Sequence, residues 1–187
     1  IAHGFHFYRG GSKLNNLIYK TIEGFAAHFT DSLVTINKED FEAAKEFKLK
    51  KNGTIQYIPG IGVNTSKFYK ASDEARIEIR KEFGLSGDDF VVAVIGELND
   101  NKNQEAIIKA IALLKSECPN LKALFMGKGE KAEYLKNLCS ELNINDRVQI
   151  LGYRHDVNRI LSVCDLGASA SLREGLGLNL IEEMASG

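Results

Sequence analysis

Two glutamates, Glu174 and Glu182, are separated by seven residues, and Gly175-Leu176-Gly177 follows the first of them. Glycines let backbone NH groups crowd around an anion, and a helix starting just beyond them adds the positive end of its dipole. Helical side chains tilt toward the N-terminus, so Glu182 leans back toward the ligand that Glu174 faces. The pattern predicts two carboxylates flanking one phosphorylated molecule. A lone glutamate at a helix start would be read instead as a dipole partner.

Three more loops carry suitable residues. Gly96 to Asn103 offers a glycine for close backbone approach and Lys102 as a mobile cation, although a lysine opening a helix is commonly just solvated. Gly127-Lys128-Gly129-Glu130-Lys131-Ala132 has the form GxGxxA, which raises a dinucleotide-binding, oxidoreductase reading. Against it, the loop follows an inner unit, and no acidic residue ends the next strand about 20 residues later. A tight turn using glycines fits equally. Gly152-Tyr153-Arg154-His155 presents a ring and a guanidinium that could stack on or bond a nucleobase; His155 is assigned no role.

These loops need a frame that brings them to one edge. From Phe90 onward, strands FVVAVIGE, LKALFMG, VQILG and DLGASAS alternate with helices over about 103–116, 130–142, 156–162 and 178–185. Near-continuous apolar strands in successive βα units predict a parallel, doubly wound sheet covered on both faces, with ligands at the carboxyl ends of its strands. Before it, residues 14–29 repeat apolar positions at helical spacing, 33–36 and 54–58 are short strands, and Asn37 caps a helix to about Phe47. Helix 73–83 stops at Gly84. Pro59-Gly60-Ile61-Gly62 breaks the pattern, so three segments are predicted: 1–58, a linker over 59–71, and 72–187.

Composition sets the outer bounds. The 187 residues are 44% hydrophobic and 26% charged with net charge −1, which argues for a globular chain and against nucleic acid as a partner. No apolar run reaches the roughly 20 residues that span a bilayer, and three cysteines without CxxC pairing suit a reducing, cytoplasmic setting. Residues 1–70 hold 10 Lys+Arg against 6 Asp+Glu, while the remainder holds 14 against 19. Much of that basic excess is Lys45, Lys48, Lys50 and Lys51, which suits either a solvated helix end or a patch facing an anionic membrane or lipid-linked substrate.

The segment REGLGLNLIEEMASG resembles the signature of glycosyltransferase family 4, with Glu174 and Glu182 at the family's spacing. GELNDNKN resembles its GRL…K loop, with Glu97 where an Arg is usual, and Ser171 matches the serine before the first glutamate, with Ala170 replacing a common Pro. AHGFHFY resembles the strand-end histidine segment of the acceptor domain, and IPGIGVNTSKF the interdomain linker. The resemblance implies a GT-B-type α/β fold: the C-terminal part of a Rossmann-like acceptor domain, a linker, and most of a Rossmann-like donor domain. A complete member would need a first half before Ile1 and more strands after Gly187, so this piece alone is expected to be inactive.

The same resemblance implies retaining transfer of a hexose or N-acetylhexosamine from a nucleotide diphosphate sugar, UDP above all. The acceptor implied is a saccharide or lipid-linked saccharide, as in bacterial capsule and exopolysaccharide synthesis, with peripheral contact at the inner membrane face. Glu174 would lie beside the donor sugar and His3 would face the reacting centre; Glu182 would bind ribose. Gly96, Lys102, Gly127, Gly129, Tyr153, Arg154, Ser171, Gly175, Leu176 and Gly177 complete the expected donor site. Neither metal nor cofactor is implied, in keeping with the absence of a D-x-D pair. Two rival readings stay open, an NAD-dependent oxidoreductase resting on the GxGxxA loop and a non-catalytic nucleotide-binding domain.

Overall fold

The computed structural model describes every residue except Ile1, His3 and Ile61. The chain divides into two compact units, 1–62 and 63–187, and the break falls inside the stretch that Pro59 and its neighbouring glycines open.

In the first unit, helix α1 (Lys13–Ala27) precedes strand β1 (Ser32–Thr35), helix α2 (Lys38–Ala44) and strand β2 (Thr54–Tyr57). β1 and β2 pair in parallel, and Ala2 bridges Thr35 in parallel on β1. Asn37 caps α2 as its type and position predict, its Oδ1 accepting the NH of Asp40 at 2.8 Å. Phe5 and Phe7 stack on one another, Phe47 meets both edge-on, and with Ala44 they form the unit's core.

The second unit runs α3 (Asp73–Glu82), β3 (Phe90–Ile95), α4 (Gln104–Leu114), β4 (Leu121–Met126), α5 (Ala132–Glu141), β5 (Val148–Gly152), α6 (Val157–Leu161), β6 (Leu166–Gly167) and α7 (Leu178–Ala185). All pairings are parallel, in the order β5-β4-β3-β6. Chain order therefore reverses between β3 and β6, the switch point of a doubly wound sheet. Alternation sorts the core: Val92, Val94, Ala123 and Phe125 pack with Ile108, Ile111 and Leu135 of α4 and α5. Val91, Ala93, Leu124 and Met126 join the cluster holding Phe68, Ile160 and Leu161. Helices pack on both faces, which is why the strands read as near-continuous apolar runs.

One element is shorter than its sequence predicts. DLGASAS pairs with β3 only at Leu166 and Gly167, followed by one further bond from Ala168 NH to Ala93 O at 2.9 Å. Beyond it the chain turns to other partners, with Leu172 NH bonding Asn101 O at 2.7 Å. At the opposite end of β6, Asp165 ties this strand to β3 and α3. Its carboxylate accepts the NH of Val91 at 2.7 Å and pairs with Arg76 and Arg80. Arg80 is only 3% exposed, and its guanidinium also reaches the carbonyls of Val163, Ser86, Gly87 and Asp89.

Candidate functional site

The loops leaving β3 and β6 meet at the switch point. Asn101 joins them twice, its carbonyl accepting Leu172 NH and its Nδ2 donating to Arg173 O at 2.9 Å. Asn179, in the first turn of α7, donates Nδ2 to Ile95 O at 3.1 Å and fixes that helix start against the end of β3. With the loops held, the Lys102 ammonium and the Glu174 carboxylate form an ion pair across 72 residues of sequence. The Lys102 stem lies over Gly96, where a Cβ would come within 3.3 Å of it.

Gly177 opens α7 in the left-handed region, with φ 63°, a conformation that favours glycine. Among the described residues, no protein acceptor engages the backbone NH groups of Gly175, Leu176 or Gly177. The site thus combines unengaged amides at a helix start with one cation and one anion, a set of groups suited to an anionic ligand with hydroxyls beside it.

The carboxylates of this region differ in their settings. Burial pushes the Glu174 carboxyl up, but hydrogen bonds from Lys102 and Ser171 outweigh it and hold it below the usual carboxylate range. Burial raises Glu182, opposed by the charge of Lys67. Glu183, which sequence reasoning passed over, is raised to about 7 by burial and then by Glu182. Both of its oxygens are buried without a partner, and a Cβ on Gly167 would lie 2.0 Å from Oε2.

Glu183 therefore makes stability fall with rising pH. The folded chain holds a proton that the unfolded chain releases near the ordinary value of 4.5, so the destabilisation grows from there to about 7 and then levels off. Glu183→Gln is expected to raise the melting temperature at pH 8 more than at pH 5; an equal shift at both would show that the buried charge is not the cause.

The GxGxxA glycines have a packing reason. A Cβ on Gly127 would sit 1.8 Å from Gly96 O, and one on Gly129 would sit 2.2 Å from Leu98 O. Leu98 NH to Lys128 O at 2.8 Å and Lys131 NH to Leu98 O at 3.0 Å lock this loop to its neighbour. The pattern is thus accounted for by two backbones in contact, without a dinucleotide.

A cavity of about 400 Å³ opens beside these loops, lined by Gly96, Glu97, Gly127, Lys128, Tyr153 and Arg154 among others. Tyr153 is 59% exposed and lies under the Lys128 ammonium, 5.2 Å from its ring centroid. The Arg154 guanidinium makes a two-bond pair with Asp156, at 2.8 and 2.6 Å, and lies over Phe83. It is therefore engaged within the protein, in contrast to the cation that the loop sequence offers a base. Glu97 is exposed and accepts from Asn99 Nδ2 at 3.1 Å.

Gly96, Lys102, Ser171, Glu174, Gly175, Leu176 and Gly177 thus come together at the switch point, and Gly127, Tyr153 and Arg154 line the adjoining cavity. Gly129 serves the loop contact, and Glu182 lies one helical turn deeper, in the charge range of Lys67. His3 lies outside the described residues. Asn101 and Asn179 were missed by sequence reasoning; the one signal for Asn179 was an amide among apolar neighbours in LGLNLIEE. Among the described residues there is no cluster of His, Cys, Asp or Glu able to hold a metal ion.

The profile of a protein family described as Glycosyl transferases group 1 matches residues 75–187. EpsD of Bacillus subtilis, named as a glycosyltransferase, is 38% identical over 185 residues, covering 99% of this chain and 48% of EpsD. The UDP-Gal:alpha-D-GlcNAc-diphosphoundecaprenol alpha-1,3-galactosyltransferase of Escherichia coli is 31% identical over 189 residues, covering 100% of the chain and 48% of the enzyme. The chain therefore spans about half the length of these curated relatives. Among solved structures, Anabaena Alr3699/HepE in complex with UDP and glucose superposes with a TM-score of 0.77 at 24% identity, covering 98% of this chain and 49% of that one. WaaG, a glycosyltransferase involved in lipopolysaccharide biosynthesis, superposes with a TM-score of 0.74 at 20% identity, covering 95% and 50%.

Proposed function

The chain belongs to the group 1 glycosyl transferases, a family of sugar-transferring enzymes with the GT-B fold, and from that premise we propose that its 63–187 unit binds a UDP-sugar at the switch point. In this reading the diphosphate lies between Lys102 and the amides of Gly175–Gly177, and the base enters the cavity beside Tyr153. Glu174 lies against the sugar, and Glu182 serves the ribose. The single observation carrying the reading is the Lys102–Glu174 pair in front of three unengaged amides.

Departure of the nucleotide places negative charge on the diphosphate, and fixed NH groups and an ammonium stabilise that charge without reorganising. The diphosphate competes with Glu174 for Lys102, so donor binding frees the carboxylate to face the electron-poor anomeric carbon. The proposed outcome is transfer of a hexose or N-acetylhexosamine, with retained configuration, to a saccharide or lipid-linked acceptor in cell-surface polysaccharide synthesis. No cofactor or metal takes part in this scheme. The proposed setting is the cytoplasm, with peripheral contact at the inner membrane face; no helix among the described residues is long and apolar enough to cross a membrane.

Titrating the chain with UDP, read by amide chemical shifts, tests the donor site. Saturable shifts are expected at Lys102, Tyr153 and Gly175–Gly177, with none from NAD at the same concentration. Tighter binding of NAD, or UDP shifts confined to residues 1–62, would overturn the reading.

A further inference from the structure

The cavity beside Tyr153 is framed by three loops whose backbones bond to one another. Leu98 NH donates to Lys128 O at 2.8 Å, and Gly127 NH donates to Gly152 O at 2.8 Å. The first bond fixes the residue after Glu97 against Lys128. The second fixes the residue before Lys128 against the residue before Tyr153. Glu97 has a further anchor: its carbonyl accepts Gln104 Nε2 at 2.8 Å and Asn99 NH at 3.0 Å, and Gln104 is only 3% exposed. Main-chain contacts therefore place Glu97, Lys128 and Tyr153 on adjoining loops around one space.

The polar side chains of this cavity differ in what they have left to offer. Asp156 takes the Arg154 guanidinium with two bonds. The Lys128 ammonium lies over the Tyr153 ring, and no hydrogen bond or ion pair among the described residues engages it. Glu97 gives one carboxylate oxygen to Asn99 Nδ2 and pairs with no cation among the described residues. Glu97 and Lys128 thus line the same cavity without pairing with each other. An ammonium only donates hydrogen bonds and a carboxylate only accepts them, so the two form an ordered pair beside an aromatic face.

We propose that Lys128 and Glu97 read the edge of the nucleobase at Tyr153, selecting a ring carbonyl next to a ring N–H, as uracil carries. The carbonyl accepts from Lys128, whose flexible stem lets the ammonium move from the ring to the oxygen, and the N–H donates to Glu97. Cytosine has the same ring with the order reversed, an amino group in place of that carbonyl and a bare nitrogen in place of that N–H. In the same seat it sets amino hydrogens against the ammonium and a lone pair against the carboxylate. Such a mismatch rejects the wrong base more strongly than a difference in packing could. The inference rests on the UDP-sugar reading and adds to it the groups that tell one base from another.

The test is calorimetric titration of the full-length gene product with UDP and with CDP, which differ only at that edge. The wild type is expected to bind UDP about tenfold or more tightly than CDP, one lost charge-assisted contact being sufficient. Lys128→Ala should weaken UDP about tenfold and should not weaken CDP. Glu97→Gln should strengthen CDP several-fold, because an amide turned about can donate to the ring nitrogen. A gain of binding cannot come from a damaged fold.

Equal affinity of the wild type for UDP and CDP would overturn the proposal and leave the UDP-sugar reading standing. So would a preference that both variants retain, which would assign the selection to other groups. An equal loss of UDP and CDP in Lys128→Ala would put the ammonium on the diphosphate and sink the proposal as well. If neither nucleotide binds the wild type, the UDP-sugar reading fails and the base selection fails with it.

Discussion

Lys102→Ala is expected to lower sugar transfer by the full-length protein by roughly 10²- to 10³-fold, the usual effect of removing one preorganised donor to a developing oxyanion. Lys102 is held for this task by its surroundings. Its stem lies over Gly96, its NH bonds Asn99 Oδ1 at 3.0 Å, and its ammonium meets Glu174. The fold should tolerate the change, because both side chains are partly exposed, at 20% and 30%, and such pairs contribute about 0–1 kcal/mol.

Loss of rate with an unchanged melting temperature is therefore the expected signature. Glu174→Ala should also suppress transfer but should not weaken UDP, because it removes the group that competes for Lys102. Wild-type transfer by either variant would sink the site assignment. Weaker UDP binding in Glu174→Ala alone would refute the competition and leave the location standing.

Arg80→Met should destabilise the second unit by about 3–5 kcal/mol, the range for removing one partner of a buried ion pair. The guanidinium is buried, and its loss leaves the Val163, Ser86, Gly87 and Asp89 carbonyls without that donor while Asp165 retains Arg76 and Val91 NH. Methionine fills comparable volume, so the effect reads polar loss more than a cavity. Against a typical domain stability of about 5–15 kcal/mol, the change brings the unit close to unfolding at body temperature. Urea denaturation followed by circular dichroism measures it. A shift below about 1 kcal/mol, the scale of an ordinary surface substitution, would refute the assigned role. Because β6 pairs with β3 over two residues, this cluster anchors the strand from which the Glu174 loop departs.

The order of helices and strands was legible in the sequence because both units are built from parallel strands covered by helices. Such strands read as apolar runs, and the helices between them keep their own period. The gathering of Gly96, Lys102 and Glu174 was legible for the same reason: a doubly wound sheet brings strand ends to one edge. Chemical type and spacing set the expectation that these loops meet a phosphorylated ligand.

Tertiary contacts decided the rest. DLGASAS reads as a strand by its place in the alternation, yet its latter half, which has no β-branched or aromatic residue, leaves the sheet and leads to the Leu172 amide bonded to the Asn101 carbonyl. The GxGxxA loop looks like a phosphate cradle, but its glycines yield to the Gly96 and Leu98 backbones at distances only a folded sheet creates. Glu183 looks like one more solvated glutamate until burial beside Gly167 raises it to about 7. Periodicity and residue type are local properties, so the sequence by itself determined the elements and which loops carry residues that a phosphorylated ligand would need. Burial and partner choice depend on residues far apart in the chain, and only the fold decides which charges stay paired and which remain to meet a substrate.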